Sequence, residues 1–160
     1  MRWPLLLVLT ACDPVITIDL TASVPVDVQE DYTAEAPGIA VLRLEAPTFT
    51  HRPVVAALCE PENADMELIY DTSWVGCLPE EPYLAVAFRR SLPEDWDAEA
   101  FCALEDLGDR RRGLDDDDFP GWQELPPDDE LAPATVELFA DPQESGRCIS
   151  KTESHALEVP

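Results

Sequence analysis

Hydrophobic and polar residues alternate between positions 15 and 28, and this is the clearest pattern in the chain. The hydrophobic set shares one face of an extended strand and comprises Ile16, Ile18, Leu20, Ala22, Val24, Val26 and Val28. The polar set comprises Thr17, Asp19, Thr21, Ser23 and Asp27. A period of two predicts a β-strand with one buried face. Because Pro25 cannot donate a ladder hydrogen bond, we expect the strand to lie at a sheet edge or to bend there.

Six further stretches have the alternating or continuously apolar pattern of short strands. They are residues 39–44, 54–59, 66–70, 83–90, 135–140 and 148–159. Turns rich in proline and acidic residues separate most of them, and residues 141–146 would join the last two as a hairpin. Several short strands separated by such turns predict a mainly β protein, an antiparallel β-sandwich.

One segment, residues 91–107, departs from this rhythm and predicts a single helix inserted between strands. Ser91 and Glu94 have the spacing of a capping box, Pro93 suits a first turn, and Gly108 suits a C-terminus. Its apolar residues recur at helical spacing, and we expect them to face the core: Trp96, Ala100, Ala103, Leu104 and Leu107.

The chain is strongly acidic. Thirty-four Asp and Glu residues oppose ten Lys and Arg residues, for a formal net charge of −24 among 160 residues. A chain with this charge is repelled by phosphate backbones and anionic lipid headgroups, so we expect no nucleic-acid partner. The length suits one domain, because a chain of roughly 150 residues buries about two-thirds of its unfolded surface.

The acidic residues are densest at about residues 109–130, where we predict a long solvated loop. Four aromatic residues could stack on sugars or fill a pocket of a partner, although we expect a buried core position for them: Tyr70, Trp74, Phe119 and Trp122. Trp122, beside Gly121, is the best candidate among them for an exposed position. The loop offers a speculative calcium site, because Ca²⁺ prefers clustered carboxylate oxygens. The ligands would be Asp115, Asp116, Asp117 and Asp118, together with Asp128 or Asp129. An EF-hand is excluded, since counting from Asp116 puts Pro127 at the twelfth position, where glutamate is required.

Catalytic motifs are missing from the sequence. It contains no zinc-protease helix motif, no nucleophile elbow, no Walker loop and no dinucleotide-binding glycine pattern. Only His51 and His155 have side chains that ordinarily exchange protons near neutral pH, and no local pattern pairs either with a serine or cysteine. We therefore expect a protein that is not an enzyme, with a hydrolase of unrecognised site as an alternative.

The N-terminal residues bear on the location of the protein. Arg2 precedes a short apolar run, which ends in Leu9-Thr10-Ala11-Cys12. This arrangement resembles the signal peptide and lipobox of bacterial lipoproteins. The resemblance implies that residues 1–11 are removed, that Cys12 carries the lipid, and that residues 12–160 form one lipid-anchored domain. Two or three acyl chains hold a protein stably on a membrane, where one chain is marginal.

The same resemblance implies a location in the cell envelope, facing the periplasm or the cell exterior. Asp13 is similar to the inner-membrane retention signal of enterobacteria-like lipoproteins. Because other lineages do not all follow that rule, inner and outer membrane both stay open.

Export would place the other cysteines in an oxidising compartment. Cys59, Cys77, Cys102 and Cys148 are even in number and lack metal-ligand spacing, so we expect two disulfides. Three pairings are possible, and we favour Cys59–Cys77 with Cys102–Cys148.

These observations favour a membrane-anchored, non-enzymatic binding or interaction module of the cell envelope. Its expected partners are the lipid membrane, through acylated Cys12, and an envelope protein or glycan. A calcium- or carbohydrate-binding sandwich domain that uses the acidic loop is the first alternative. We expect no cofactor apart from calcium in that alternative.

Overall fold

A computed structural model describes residues 16–46, 49–60, 64–71, 83–104, 114, 117–128, 130–139 and 151–160. The strands are β1 (Ile16–Val24), β2 (Gly38–Ala46), β3 (Phe49–Thr50), β4 (Val54–Leu58), β5 (Ala64–Asp71), β6 (Tyr83–Ser91), β7 (Ala134–Leu138) and β8 (Lys151–Glu158). The helices are α1 (Val26–Gln29) and α2 (Ala98–Cys102), with one 3₁₀ turn at Trp122–Glu124.

The strands form two sheets, and the predicted β-sandwich is confirmed. The three-stranded sheet has the order β5-β1-β8. The five-stranded sheet has the order β3-β2-β6-β7, with β4 also paired to β2. Every pairing is antiparallel except that of β1 with β8, which is parallel.

The alternation that predicts β1 is correct as far as Val24. Ile18, Leu20 and Val24 are fully buried. The strand then ends, because Pro25 takes the N-cap position of α1, and Val26 is 39% exposed. The prediction that the chain bends at Pro25 is therefore correct. The alternative prediction, that β1 lies at a sheet edge, is wrong, because β1 is the central strand of its sheet.

The main core fills the space between the sheets. All strands except the two-residue β3 contribute to it, and aliphatic residues predominate. Its fully buried members are Ile18, Leu20, Val24, Ala40, Leu42, Leu44, Ala56, Leu58, Leu68, Ala85, Ala87 and Leu138.

A second core lies on the opposite face of the five-stranded sheet. It comprises Ile39, Val41, Val55, Val86, Phe88, Trp96, Phe101, Leu114, Phe119, Trp122 and Leu125. The first five come from the sheet, Trp96 and Phe101 come from α2 and the turn before it, and the others are described residues of the acidic segment. The five-stranded sheet is therefore buried on both faces, and the molecule has three layers.

The described part of residues 109–130 is a loop with exposed acidic residues, but it is not solvated throughout, because its large apolar residues are buried. Trp122, the best candidate for an exposed aromatic residue, is 1% exposed and thus has the core position expected for the aromatic residues. The Arg52 guanidinium lies 5.0 Å from the ring centroid of Trp122. Arg43 fastens the segment to the sheet, because its Nη1 donates to the carbonyl oxygen of Leu125 at 3.1 Å. The segment has a polar composition, but its four large apolar residues cover the outer face of the five-stranded sheet.

The predicted helix is much shorter than residues 91–107. Ser91 ends β6 instead of capping a helix, and the helix begins only at Ala98. Asp97 is the true N-cap, since its Oδ1 accepts a hydrogen bond from the backbone N–H of Ala100 at 3.0 Å. Glu94 does not cap a helix. It lies in the turn between β6 and α2, where the Trp96 N–H donates a hydrogen bond to the Pro93 carbonyl.

The favoured disulfide pairing is also wrong. Cys59 is bonded to Cys102, with 5.9 Å between their Cα atoms, and this bond joins the end of β4 to α2. Cys77 and Cys148 lie outside the described residues. The bond follows from the second core, which packs α2 directly against the face that carries β4.

The last two strands do not form the expected hairpin. β7 pairs with β6 in the five-stranded sheet, whereas β8 crosses to the other sheet and runs parallel to β1. Because β7 and β8 belong to different sheets, they cannot form a hairpin. In the described part of the chain, no helix is long and apolar enough to cross a bilayer.

Candidate functional site

The outer face of the three-stranded sheet carries acidic and hydroxyl side chains. Successive side chains of a β-strand point to opposite faces of the sheet, so every second residue faces the core and the residues between them face outward. The outward residues with described side chains are Thr17, Asp19, Thr21 and Ser23 of β1, Asp65, Glu67 and Ile69 of β5, and Thr152, Ser154, Ala156 and Glu158 of β8. We call this surface the acid–hydroxyl face.

Strand register arranges these residues in rows across the face. Asp19 lies between Ile69 and Ser154, and Thr21 lies between Glu67 and Ala156. Ser23 lies between Asp65 and Glu158. Directly opposed residues are close enough to interact, so each row acts as a unit. Every row that is described across all three strands contains at least one carboxylate.

The face has one sign of charge. Its described side chains include four carboxylates, those of Asp19, Asp65, Glu67 and Glu158, and no Lys or Arg. Oδ1 of Asp19 is buried and has no hydrogen-bond partner among the described residues. A surface lined by one sign of charge concentrates counter-ions and steers oppositely charged molecules toward itself. This face therefore attracts cations.

A groove of about 440 Å³ runs across the face. Its lining comes from three strands only, at residues 21–23, 65–67 and 156–157. Ala156 has the smallest side chain of its row, beside Thr21, and so leaves a depression between its neighbours. Ile69, in the next row, is 50% exposed, the highest value among the large hydrophobic residues that the structure describes as exposed. The face thus combines carboxylates with one apolar contact point.

Part of the predicted calcium site lies outside the described residues, namely Asp115, Asp116 and Asp129. Asp117 and Asp118 are exposed. Asp128 lies beside β6, where its Oδ2 accepts a hydrogen bond from the Ser91 N–H at 3.3 Å. Within the described ranges, no three His, Cys, Asp or Glu residues are grouped as metal ligands.

The two histidines lie in different parts of the fold, His155 on β8 and His51 between β3 and β4. Nε2 of His155 is 3.0 Å from Oε2 of Glu153 on the same strand. The other oxygen of Glu153 accepts a hydrogen bond from the Phe139 N–H, so this carboxylate links β8 to the end of β7. The ring of His51 packs edge-on against Tyr70 of β5, with 5.1 Å between centroids. The prediction that the protein is not an enzyme stays a prediction.

Sequence reasoning did not single out the acid–hydroxyl face, although half of the signal was present. The polar set of β1 already contained Thr17, Asp19, Thr21 and Ser23. The sequence pattern did not identify the neighbouring strands, β5 and β8, whose residues complete the rows. Cys12, the predicted lipid site, lies outside the described residues.

Comparison of the chain with protein families, with curated proteins and with solved structures gives no match.

Proposed function

We propose that this protein is a non-enzymatic binding module of the bacterial cell envelope, held at a membrane by lipid on Cys12. It binds a cationic partner protein through the acid–hydroxyl face. The observation that carries the proposal is the charge of this face, whose described side chains include four carboxylates and no Lys or Arg.

The other sheet offers no comparable surface. Both faces of the five-stranded sheet are packed, one against the three-stranded sheet and one against α2 and the described residues of the acidic segment. In the described part of the chain, the outer face of the three-stranded sheet is therefore the sheet surface whose outward side chains are mostly exposed.

The chemistry of the face favours a basic protein over other envelope ligands. Anionic lipid headgroups and phosphate backbones are repelled by it. Aromatic rings, which give apolar area and a flat surface for stacking, are missing from its described side chains. Electrostatic attraction raises the rate of association with a basic protein, and Ile69 supplies an apolar contact.

The proposed anchor is attached near one end of the face. Ile16, the first residue of β1, is the fourth residue after Cys12, so the chain between them spans at most about 14 Å. At about 3.3 Å per residue, Thr21 and Ser23 lie roughly 17 to 23 Å farther along the strand. The groove is therefore at the end of β1 that is farther from the proposed anchor.

The anchor is tested by the intact mass of the protein extracted from membranes of a bacterial host. We expect a chain that begins at Cys12 and carries acyl mass. A Cys12→Ala variant should lack that mass and leave the membrane fraction. Unprocessed wild-type protein in the soluble fraction would contradict the anchor.

The binding surface is tested with the full chain in neutral phosphatidylcholine nanodiscs, titrated with a hexalysine peptide. We expect Asp65→Asn/Glu67→Gln to weaken binding about tenfold, since each lost charge contact contributes up to about 1 kcal/mol. Glu124→Gln/Glu130→Gln is the matched control, because it removes the same charge from exposed positions outside the face. Equal losses in the two variants, or no binding by the wild type, would contradict the proposed surface.

A further inference from the structure

A second groove, of about 320 Å³, lies at one end of the five-stranded sheet. It is lined by residues 35–37 and 91–94, with Trp96 and Ala98. Two contacts hold the segments together: Gly38 pairs with Ser91 in the sheet, and the Leu92 N–H donates to the Pro37 carbonyl at 2.9 Å. We call this the end groove.

The end groove has apolar walls and an acidic rim. Pro37, Leu92, Pro93 and Trp96 form the walls, and each is buried or half-buried. The exposed side chains of Glu35 and Glu94 form the rim. Two prolines and a packed tryptophan make the walls rigid, so little conformational entropy is lost when a ligand binds.

The two arginines that precede Ser91 form their described hydrogen bonds with groups other than the rim carboxylates. Arg89 donates to the Pro160 carbonyl, to Asp31 and to the Tyr32 hydroxyl. Arg90 donates to the carbonyl oxygens of Ser91 and Pro126. Within the described part of the chain, neither Glu35 nor Glu94 takes part in an ion pair. The rim is therefore available to an incoming cation.

Strand register locates this groove at the same end of the molecule as the groove of the acid–hydroxyl face. Gly38 pairs with Leu58 as well as with Ser91. From Leu58 the chain leads to Ala64, the first residue of β5, which pairs with Val24 at the far end of β1. Ile16, near the proposed anchor, is at the opposite end of that strand.

We propose that the end groove binds an arginine side chain of a partner protein, together with the apolar residue next to it. The guanidinium lies at the rim between Glu35 and Glu94, and the apolar residue packs against Pro37 and Pro93. The inference rests on the proposed function for the kind of partner, a cationic protein. It adds a site that recognises a particular pair of side chains.

Arginine fits this groove better than lysine does. The guanidinium is planar and more weakly hydrated than an ammonium group, so it loses less on entering a half-apolar site. It also presents donors in several directions, so that it can donate hydrogen bonds to more than one carboxylate of the rim.

The test is a titration of the full chain in neutral nanodiscs with acetyl-leucyl-arginine amide, followed by ¹H–¹⁵N spectra. The matched probe is acetyl-leucyl-citrulline amide, which has nearly the same shape without the charge. We expect saturable shifts of the backbone signals of Ala36, Leu92 and Glu94 with the arginine probe. The citrulline probe should bind at least about tenfold more weakly, as expected when a charged hydrogen-bonded pair is lost.

Two pairs of variants separate shape from charge. Ala36→Trp should fill the groove and abolish the shifts, whereas Ala34→Trp, in the same turn but outside the lining, should preserve them. Glu35→Gln/Glu94→Gln should weaken arginine binding about tenfold, and Glu30→Gln/Glu99→Gln, equal in charge, should change it less than about twofold.

Equal binding of the two probes, or unchanged binding by Ala36→Trp, overturns the end-groove proposal. The result for hexalysine is independent of this one, because that peptide is tested with variants of Asp65 and Glu67. Binding of hexalysine without saturable shifts at the end groove would refute this inference and preserve the proposed function. The reverse result would refute the proposed surface and preserve the groove.

Discussion

Gly38 lies against the ring of Tyr32, at a distance that no larger residue permits. A Cβ atom added at Gly38 would lie within 2.8 Å of three ring carbons of Tyr32. The ring is 6% exposed, and its hydroxyl accepts a hydrogen bond from Arg89 at 3.1 Å. Because Tyr32 is held on these sides, it has little freedom to move away.

Gly38→Ala should therefore destabilise the protein. We expect a loss of about 1–3 kcal/mol in the free energy of unfolding, the usual range for an overpacked core. The measurement is urea unfolding of Gly38→Ala in the wild-type and Tyr32→Ala backgrounds. In the second background the loss should fall below about 0.5 kcal/mol, because the clashing ring is gone.

Gly121→Ala is the control for this cycle. Its added Cβ would meet nothing within 4 Å, but its φ of 73° lies in the left-handed region. We expect a loss of about 1 kcal/mol that is the same in both backgrounds, because its cause is the backbone. A Gly38→Ala loss that persists without the Tyr32 ring would contradict the steric explanation.

Cys59→Ser/Cys102→Ser should lower the stability of the oxidised protein. The bond joins residues 43 positions apart, and closing a loop of this length in the unfolded chain corresponds to roughly 4 kcal/mol. Urea unfolding of variant and wild type under oxidising conditions measures the loss, and with reductant the two proteins should nearly converge. Peptide mapping that finds Cys59 bonded to Cys77 would refute the observed pairing.

Trp122→Ala should cost about 3–5 kcal/mol, as for other large aromatic residues removed from a core. The reason is that Trp122 is buried in the second core, although it belongs to the acidic segment. Asp117→Asn/Asp118→Asn, at exposed positions of the same segment, should change stability by less than about 0.5 kcal/mol. Thermal or urea unfolding distinguishes the cases, and a Trp122→Ala loss as small as that of the control would indicate a solvated loop.

Tyr70 should make the protein less stable at alkaline pH. Burial raises the pKa of Tyr70 above the ordinary value of 10.0. As the pH rises through about 10, the unfolded chain loses this proton before the folded protein does, so the free energy of unfolding falls until the folded pKa is passed. The contribution is fully present below about pH 9.

Unfolding by urea at several pH values between about 8 and 11 measures this effect. Tyr70→Phe removes the titrating group, so the free energy of unfolding of this variant should decline less steeply over the same interval. Parallel pH profiles for the two proteins would show that Tyr70 does not contribute.

The local pattern was sufficient to predict the strands. β2, β4 and β6 lie within about two residues of the predicted stretches 39–44, 54–59 and 83–90. It failed where a local signal had two possible meanings. The pair Ser91 and Glu94 has the spacing of a capping box, but the tertiary contact of Ser91 with Gly38 keeps Ser91 in a strand.

The candidate site was half predictable for the same reason. The outward hydroxyl and acidic residues of β1 follow from a period of two in the sequence. Their neighbours on β5 and β8 do not, because strands that are distant in sequence meet only when the sheet forms. The end groove was missed entirely, since residues 35–37 and 91–98 approach each other only through the pairing of β2 with β6.

The sequence by itself determined the mainly β class, the positions of most strands and the inward face of β1. These properties depend on the alternation of neighbouring side chains, which the chain carries locally. Tertiary structure alone decided the parallel placement of β8, the disulfide of Cys59 with Cys102, and the burial of Trp122. The physical reason is that hydrophobic burial has no direction: an apolar residue must leave water, but the sequence pattern does not specify which surface will cover it.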